Sequence, residues 1–113
     1  MAAGDSKIVD ERFYLPSAKG GGVLRREIWV DRRGHVVRYN FAYINPLIFA
    51  GDNGNMLSTL APRVLGYDSA HGYHHRHYKG KETPVKFESL DQIETRFQGE
   101  WMRLAKEFKR GKD

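Results

Sequence analysis

The segment from Val23 to Ile44 constrains the fold more than any other part of this chain. Val23–Val30 and Val36–Ile44 are rich in β-branched and aromatic residues that alternate between two faces, which is the period of a strand. Between them lies Asp31-Arg-Arg-Gly34, whose glycine can take the positive φ angle that a tight turn needs. The segment therefore predicts a β-hairpin.

The C-terminal part predicts one helix, from Ser89 to Arg110. Ser89 is a natural N-cap, and Gln92 follows three residues later, as in a capping box. Large apolar residues recur every three or four positions, which places them on one helix face: Ile93, Phe97, Trp101, Leu104 and Phe108. We expect this face, and above all Phe97, Trp101 and Leu104, to pack against the sheet that contains the hairpin.

The remaining predicted elements are shorter. Ile8–Leu15 is a candidate edge strand, and Arg63–Asp68 is a strand candidate that runs on into a histidine-rich segment. The other assignments are a loose tail at 1–7, a short strand at 47–49, a loop at 80–84 and an extended stretch at 85–87, while 55–62 stays unassigned. Together these elements predict an α+β fold, with an antiparallel sheet of four to six strands and a C-terminal helix packed on one face.

Length and composition indicate the class of protein. The 113 residues correspond to a single domain. The formal net charge of +5 favours a polyanionic partner. The chain has no cysteine, no apolar run long enough to span a membrane and no signal-peptide pattern at its start, so we expect a cytoplasmic protein that does not engage membranes.

Functional side chains are concentrated in the segment His71–Lys81, which we call the histidine tract. It holds four of the five histidines together with two tyrosines, one arginine and two lysines, and it contains no acidic residue. In a strand, Tyr73, His75, His77 and Lys79 share one face, whereas His74, Arg76 and Tyr78 share the other.

Such a strand carries every residue type that RNA cleavage without a metal ion or cofactor needs. Two imidazoles on one face stand roughly 7 Å apart; one can deprotonate a ribose 2′-hydroxyl and the other can protonate the leaving oxygen. An arginine or lysine can stabilise the charge that develops on phosphorus. Imidazole also titrates close to neutral pH.

Three other interpretations of the tract remain open. Its histidines and Asp68 are possible ligands of a metal ion, although the spacing fits no tight zinc pattern and the neighbouring cations oppose one. The same groups can bind RNA or DNA without cleaving it. They can also be ordinary hydrogen-bonding residues of a strand.

Several elements of the sequence resemble the TumE-like family of prokaryotic toxins. They are Arg38-Tyr-Asn-Phe-Ala-Tyr-Ile44, Val64-Leu-Gly-Tyr-Asp-Ser-Ala-His-Gly-Tyr-His-His-Arg-His77, and Phe87 leading into the terminal helix. In that family a Tyr-Asp-(Asn/Ser)-Ala-His segment precedes closely spaced histidines. The resemblance implies a toxin encoded beside an antitoxin protein, which commonly has a helix-turn-helix DNA-binding part.

The functional hypothesis is therefore a type II toxin that acts as a metal-independent ribonuclease; the alternative is a non-enzymatic RNA- or DNA-binding protein. We expect RNA and a cognate antitoxin as partners, and no cofactor or metal. The candidate catalytic residues are His74, His75, Arg76, His77 and Tyr78. The candidate nucleic-acid-binding residues are Arg26, His71, Tyr73, Lys79 and Lys81, with Tyr67 and Asp68 in supporting roles.

Overall fold

In the part of the chain that the structure describes, six strands form one antiparallel sheet and lie side by side in the order of the sequence. The structure, a computed structural model, describes residues 4–48, 63–70 and 72–112. The strands are β1 (Ser6–Tyr14), β2 (Val23–Val30), β3 (Val36–Ile44), β4 (Arg63–Ala70), β5 (Tyr73–Tyr78) and β6 (Lys81–Pro84), and helix α1 (Leu90–Lys112) follows them. The predicted α+β fold is thus confirmed.

The predicted hairpin is strands β2 and β3. Asp31 stabilises the turn, because its side chain accepts hydrogen bonds from the backbone N–H groups of Arg33 at 2.9 Å and His35 at 3.0 Å. Gly34 has a φ angle of +84°, which few other residues adopt without strain. The polar turn residues therefore fix the register of the strands that they connect.

Helix α1 begins as the sequence predicts. The Ser89 hydroxyl accepts a hydrogen bond from the Gln92 N–H at 3.1 Å, and the Gln92 side chain accepts one from the Glu88 N–H at 3.3 Å. Phe97 and Leu104 are buried as expected, whereas Trp101 is half-buried against the core. Burial of this stripe against the sheet stabilises the helix more than its intrinsic propensity does.

Helix α1 covers one face of the sheet; no other element of the described residues covers the opposite face, which we call the open face. Helix α1 covers the face that carries Tyr39, Phe41 and Tyr43 of β3, whose side chains are almost completely buried. Leu65 and Tyr67 of β4 stand opposite Tyr43 and Phe41 in the register and extend the same core. Residues at the alternate positions belong to the face that α1 leaves open, and they are mostly polar.

Three of the shorter predictions need correction. Residues 81–84 form β6 rather than a loop, because Lys79 and Gly80 have φ angles of +48° and +88° and so reverse the chain within two residues. Strand β1 begins at Ser6, inside the predicted tail. The chain is helical at 46–48, where a strand was expected; Phe49 and the segment 55–62 lie outside the described residues.

No helix in the described part of the chain is long and apolar enough to cross a membrane.

Candidate functional site

Strand β5 divides the histidine tract between the two faces of the sheet, as the alternation predicts. Arg76 and Tyr78 stand opposite Tyr67 and Leu65 of the core, and so they lie on the covered face with His74. His75 and His77 lie on the open face with Tyr73. The five candidate catalytic residues therefore do not form one cluster, and His71 lies outside the described residues.

The open face brings His75 and His77 together with residues from two neighbouring strands. We call this group the open-face cluster; it consists of Arg63, Asp68, His75, His77 and Glu82. Asp68 stands directly opposite His75 in the β4–β5 register, and Glu82 stands opposite His77 in the β5–β6 register. The side chains of all except Glu82 are only partly exposed, so the cluster is accessible to solvent but not fully hydrated.

Each imidazole of the cluster has one ring nitrogen against a carboxylate. His77 Nε2 lies 3.2 Å from Asp68 Oδ2, although this buried N–H is not aligned for a hydrogen bond. His75 Nδ1 lies 3.4 Å from Glu82 Oε1 and 3.9 Å from Asp68 Oδ1. Within the described residues, no carboxylate pairs with the opposite ring nitrogens, His77 Nδ1 and His75 Nε2, and in catalytic imidazoles it is the nitrogen away from the carboxylate that transfers the proton.

Arg63 completes the cluster, and the sequence did not identify it. Its Nη1 donates a hydrogen bond to Asp68 Oδ2 at 3.2 Å. To reach Asp68 the side chain crosses Gly66, where a Cβ atom would lie 2.6 Å from Arg63 Cδ. The glycine inside strand β4 was the available signal, because such a glycine often marks a close approach by another group.

His74 is part of the covered face. Its Nδ1 lies 2.9 Å from the hydroxyl of Tyr39, and its ring stacks on Phe87 with centroids 4.3 Å apart. Burial, more than the neighbouring Asp68, raises the pKa of Tyr39 to about 12, so its hydroxyl stays protonated and donates to His74. Burial, followed by the nearby His75, lowers the pKa of His74, which favours a neutral ring in a structural role.

Arg76 joins strand β5 to helix α1. Its Nε donates to both carboxylate oxygens of Glu100, at 3.2 and 3.1 Å, and its Nη2 donates to the same group. The Tyr67 hydroxyl also donates to Glu100, and the Arg76 guanidinium lies over the Tyr78 ring at 5.0 Å. Burial alone would raise the pKa of Glu100, but the hydrogen bonds from Arg76 and Tyr67 outweigh it and lower that pKa.

The remaining predicted nucleic-acid-binding residues are scattered. Arg26 lies on the covered face, where it pairs with Glu94 at 2.6 Å and Glu11 at 3.0 Å. Lys79 lies in the turn after β5, with its amine 5.4 Å from the centre of the Tyr78 ring, and Lys81 is exposed at the start of β6. Only Tyr73, among these and within the described residues, shares the face and strand of the histidine pair.

Among the described residues, no group of three or more His, Asp or Glu side chains is arranged to hold a metal ion. Searches of the chain against protein families, curated proteins and solved structures gave no match.

Proposed function

We propose that this protein is a metal-independent endoribonuclease and that the open-face cluster carries the reaction. The observation that carries the proposal is the pair His75 and His77, whose ring centroids lie 6.3 Å apart on one side of β5. Each ring has a carboxylate beside one nitrogen, which leaves the other nitrogen for proton transfer. Two oriented imidazoles at this separation can contact the two oxygens that exchange on one phosphorus.

The residues of the cluster have distinct roles in this mechanism. His75 takes the proton of a ribose 2′-hydroxyl, and the 2′-oxygen forms a bond to the adjacent phosphorus. The bond from phosphorus to the 5′-oxygen of the next nucleotide breaks, and His77 protonates that oxygen. The products are a 2′,3′-cyclic phosphate and a 5′-hydroxyl, so no water or metal ion enters this step.

Arg63 and Asp68 support the proton transfers. The Arg63 guanidinium, which is already oriented by Asp68 at 3.2 Å, stabilises the negative charge that develops on the phosphoryl oxygens. In the reactive state His75 is neutral and His77 is protonated, so the positive charges of Arg63 and His77 balance the two carboxylates and the cluster does not repel a phosphodiester. The carboxylate of Asp68, 3.2 Å from His77 Nε2, places a negative charge beside the ring while His77 acts as the acid.

The covered-face residues act as positioning residues in this proposal. The bonds between Arg76 and Glu100 tie β5 to α1, and His74 is held between Tyr39 and Phe87. Because alternate residues of one strand are rigidly related, fixing His74 and Arg76 also fixes His75 and His77 on the opposite face. The catalytic set is thereby reduced to the histidine pair with Arg63 and Asp68.

The biological role that we propose is that of the toxin in a type II toxin–antitoxin system. Support comes from the segment Tyr67-Asp-Ser-Ala-His71, which resembles TumE-like toxins and contributes Asp68 to the cluster. A ribonuclease that stops growth by degrading cellular RNA must be inhibited in the cell that makes it, and an antitoxin encoded alongside would be that inhibitor. Co-expression with the protein encoded by the adjacent gene would test this role through rescue of growth.

The reaction is tested with an oligonucleotide that contains one ribonucleotide in a DNA background. We expect cleavage on the 3′ side of that ribonucleotide, with a 2′,3′-cyclic phosphate or the derived 3′-phosphate at the new end. Cleavage should persist in EDTA and should disappear when the ribonucleotide is replaced by its 2′-deoxy form. Cleavage of the all-DNA strand, or loss of activity on chelation that zinc restores, would contradict the mechanism.

A further inference from the structure

Tyr73 extends the row of His75 and His77 along the open face. Its ring lies 6.2 Å from that of His75 at an interplanar angle of 19°, and the His75 and His77 rings are separated by a nearly equal 6.3 Å. Tyr73 is 69% exposed. A planar aromatic surface therefore stands open to solvent beside the two imidazoles of the proposed reaction.

The order of this row, an aromatic ring followed by two imidazoles, corresponds to the order of base, ribose and 3′-phosphate along one nucleotide. A base that stacks on Tyr73 places its own ribose near His75 and the phosphate on its 3′ side between His75 and His77. Exposed aromatic rings are the usual platform on which proteins bind single-stranded nucleic acid, because every base has a face that can stack. A base inside a duplex is already stacked on both sides and cannot cover the ring in this way.

We propose that Tyr73 stacks on the base of the nucleotide whose 2′-hydroxyl attacks, and that single-stranded RNA is consequently the substrate class. The proposal rests on the proposed function of the cluster and extends it by a substrate-binding residue. It also orders the histidine roles, since His75, next to Tyr73, is the closer to the ribose of the stacked nucleotide, and His77 is the closer to the leaving oxygen.

The chain offers a matched control for Tyr73. Tyr14, at the end of β1, is 67% exposed and stands opposite Val23 in the register, which places it on the same face of the sheet. It lies four strands away from β5. A general effect of removing an exposed tyrosine from this face should therefore appear equally in Tyr14→Ala and Tyr73→Ala.

The experiment compares two substrates that each contain one cleavable ribonucleotide, with its base present or replaced by an abasic ribose. Stacking on an aromatic side chain contributes about 5- to 150-fold per base. We expect base removal to lower kcat/KM by a factor in this range for wild type, Tyr73→Phe and Tyr14→Ala. Tyr73→Ala should lose a similar factor on the intact substrate and nothing further on the abasic one.

The same oligonucleotide annealed to its complement should be cut far more slowly than the single strand. If Tyr73→Ala cleaves the intact substrate as fast as wild type, or if base removal weakens Tyr73→Ala as much as wild type, the stacking proposal is wrong while the ribonuclease proposal stands. Efficient cleavage of the duplex would also overturn it.

A second measurement tests the stacking role of Tyr73 by binding alone, so that it does not depend on whether the protein cleaves RNA. A 2′-O-methyl oligonucleotide carrying 2-aminopurine cannot be cleaved by the proposed reaction, and stacking on an aromatic ring quenches its fluorescence. We expect quenching by wild type and Tyr14→Ala and much less by Tyr73→Ala. Equal quenching by all three, or none by any, would overturn the stacking role even if wild type cuts no RNA.

Discussion

His77 Nε2 lies 3.2 Å from Oδ2 of Asp68, and the same carboxylate also lies near His75. The two residues belong to adjacent antiparallel strands, and Gly66, opposite His77, has no side chain, so the Arg63 side chain lies over it. One carboxylate thus contacts two imidazoles and one guanidinium. If this arrangement is a reaction centre, substitutions in it should lower cleavage more than they lower stability.

Replacing Asp68 by Asn should lower kcat for RNA cleavage by about 10²-fold, which is within the range of acid–base contributions. The amide keeps the shape of the side chain, but it has no negative charge to stabilise the positive charges of His77 and Arg63. KM should change little. Asp10→Asn is the matched control, because Asp10 lies on the same face in β1 and outside the cluster; equal losses in both variants would contradict the role of Asp68.

Gly66→Ala should reduce cleavage without removing any charged group. The added methyl would overlap the Arg63 side chain, whose Cδ lies 2.6 Å and Nε 2.9 Å from the Cβ position, so the guanidinium must leave Asp68. Gly99→Ala is the control, because nothing lies within 4 Å of the Cβ position of Gly99. Helix α1 therefore does not need a glycine at this position in order to approach the sheet. The control should raise the free energy of unfolding by about 0.5–1 kcal/mol, with unchanged activity.

Glu100→Gln should destabilise the protein at pH 7 by about 3 kcal/mol, because Arg76 is left partly buried without its counter-charge. The pKa of Glu100 is lowered in the folded protein from its ordinary 4.5. The contribution of Glu100 is therefore complete above pH 4.5 and is lost as the pH falls through the lower, folded-state pKa. Urea unfolding against pH should show the two proteins converging at acid pH, whereas a constant difference would contradict the ion pair.

Replacing His74 by Phe should affect stability more than cleavage. The Tyr39 hydroxyl would lose its acceptor at a cost of about 1–3 kcal/mol, whereas cleavage should stay within a few-fold of wild type. Because burial lowers the pKa of His74, its stabilising contribution is complete above the ordinary value of 6.5 and is lost as the pH falls through the folded value. That pH-dependent part of the unfolding free energy should be absent in His74→Phe. A loss of activity comparable to that of the open-face histidines would return His74 to the catalytic set.

The elements with strong local signals could be predicted from the sequence. The hairpin follows from alternation and from the Asp31–Gly34 turn, and helix α1 follows from its cap and apolar stripe. Strand β6 was not predicted, because Lys79-Gly80 is not one of the dipeptides that are typical of a two-residue hairpin turn. In the structure, both residues nevertheless adopt the positive φ angles of such a turn. A short strand of exposed residues gives no hydrophobic pattern from which to predict it.

The candidate site could be predicted only in part. Alternation along β5 correctly separated His75 and His77 from His74 and Arg76. It could not identify the partners of these residues, because Glu100 meets Arg76 across 24 positions of sequence and Arg63 reaches Asp68 by crossing a glycine. Such pairings depend on strand register and helix placement, which a local pattern does not encode.

The most direct test of the central claim is RNA cleavage by purified wild type, His77→Ala and His35→Ala, measured side by side. His35 is the one histidine of the sequence outside the tract, and it lies exposed beside the β2–β3 turn. We expect His77→Ala to lose about 10²–10⁴-fold in rate with an unchanged melting temperature, and His35→Ala to cleave as wild type does. A wild-type protein that binds RNA without cutting it, or a His77→Ala protein that cuts at the wild-type rate, would contradict the account.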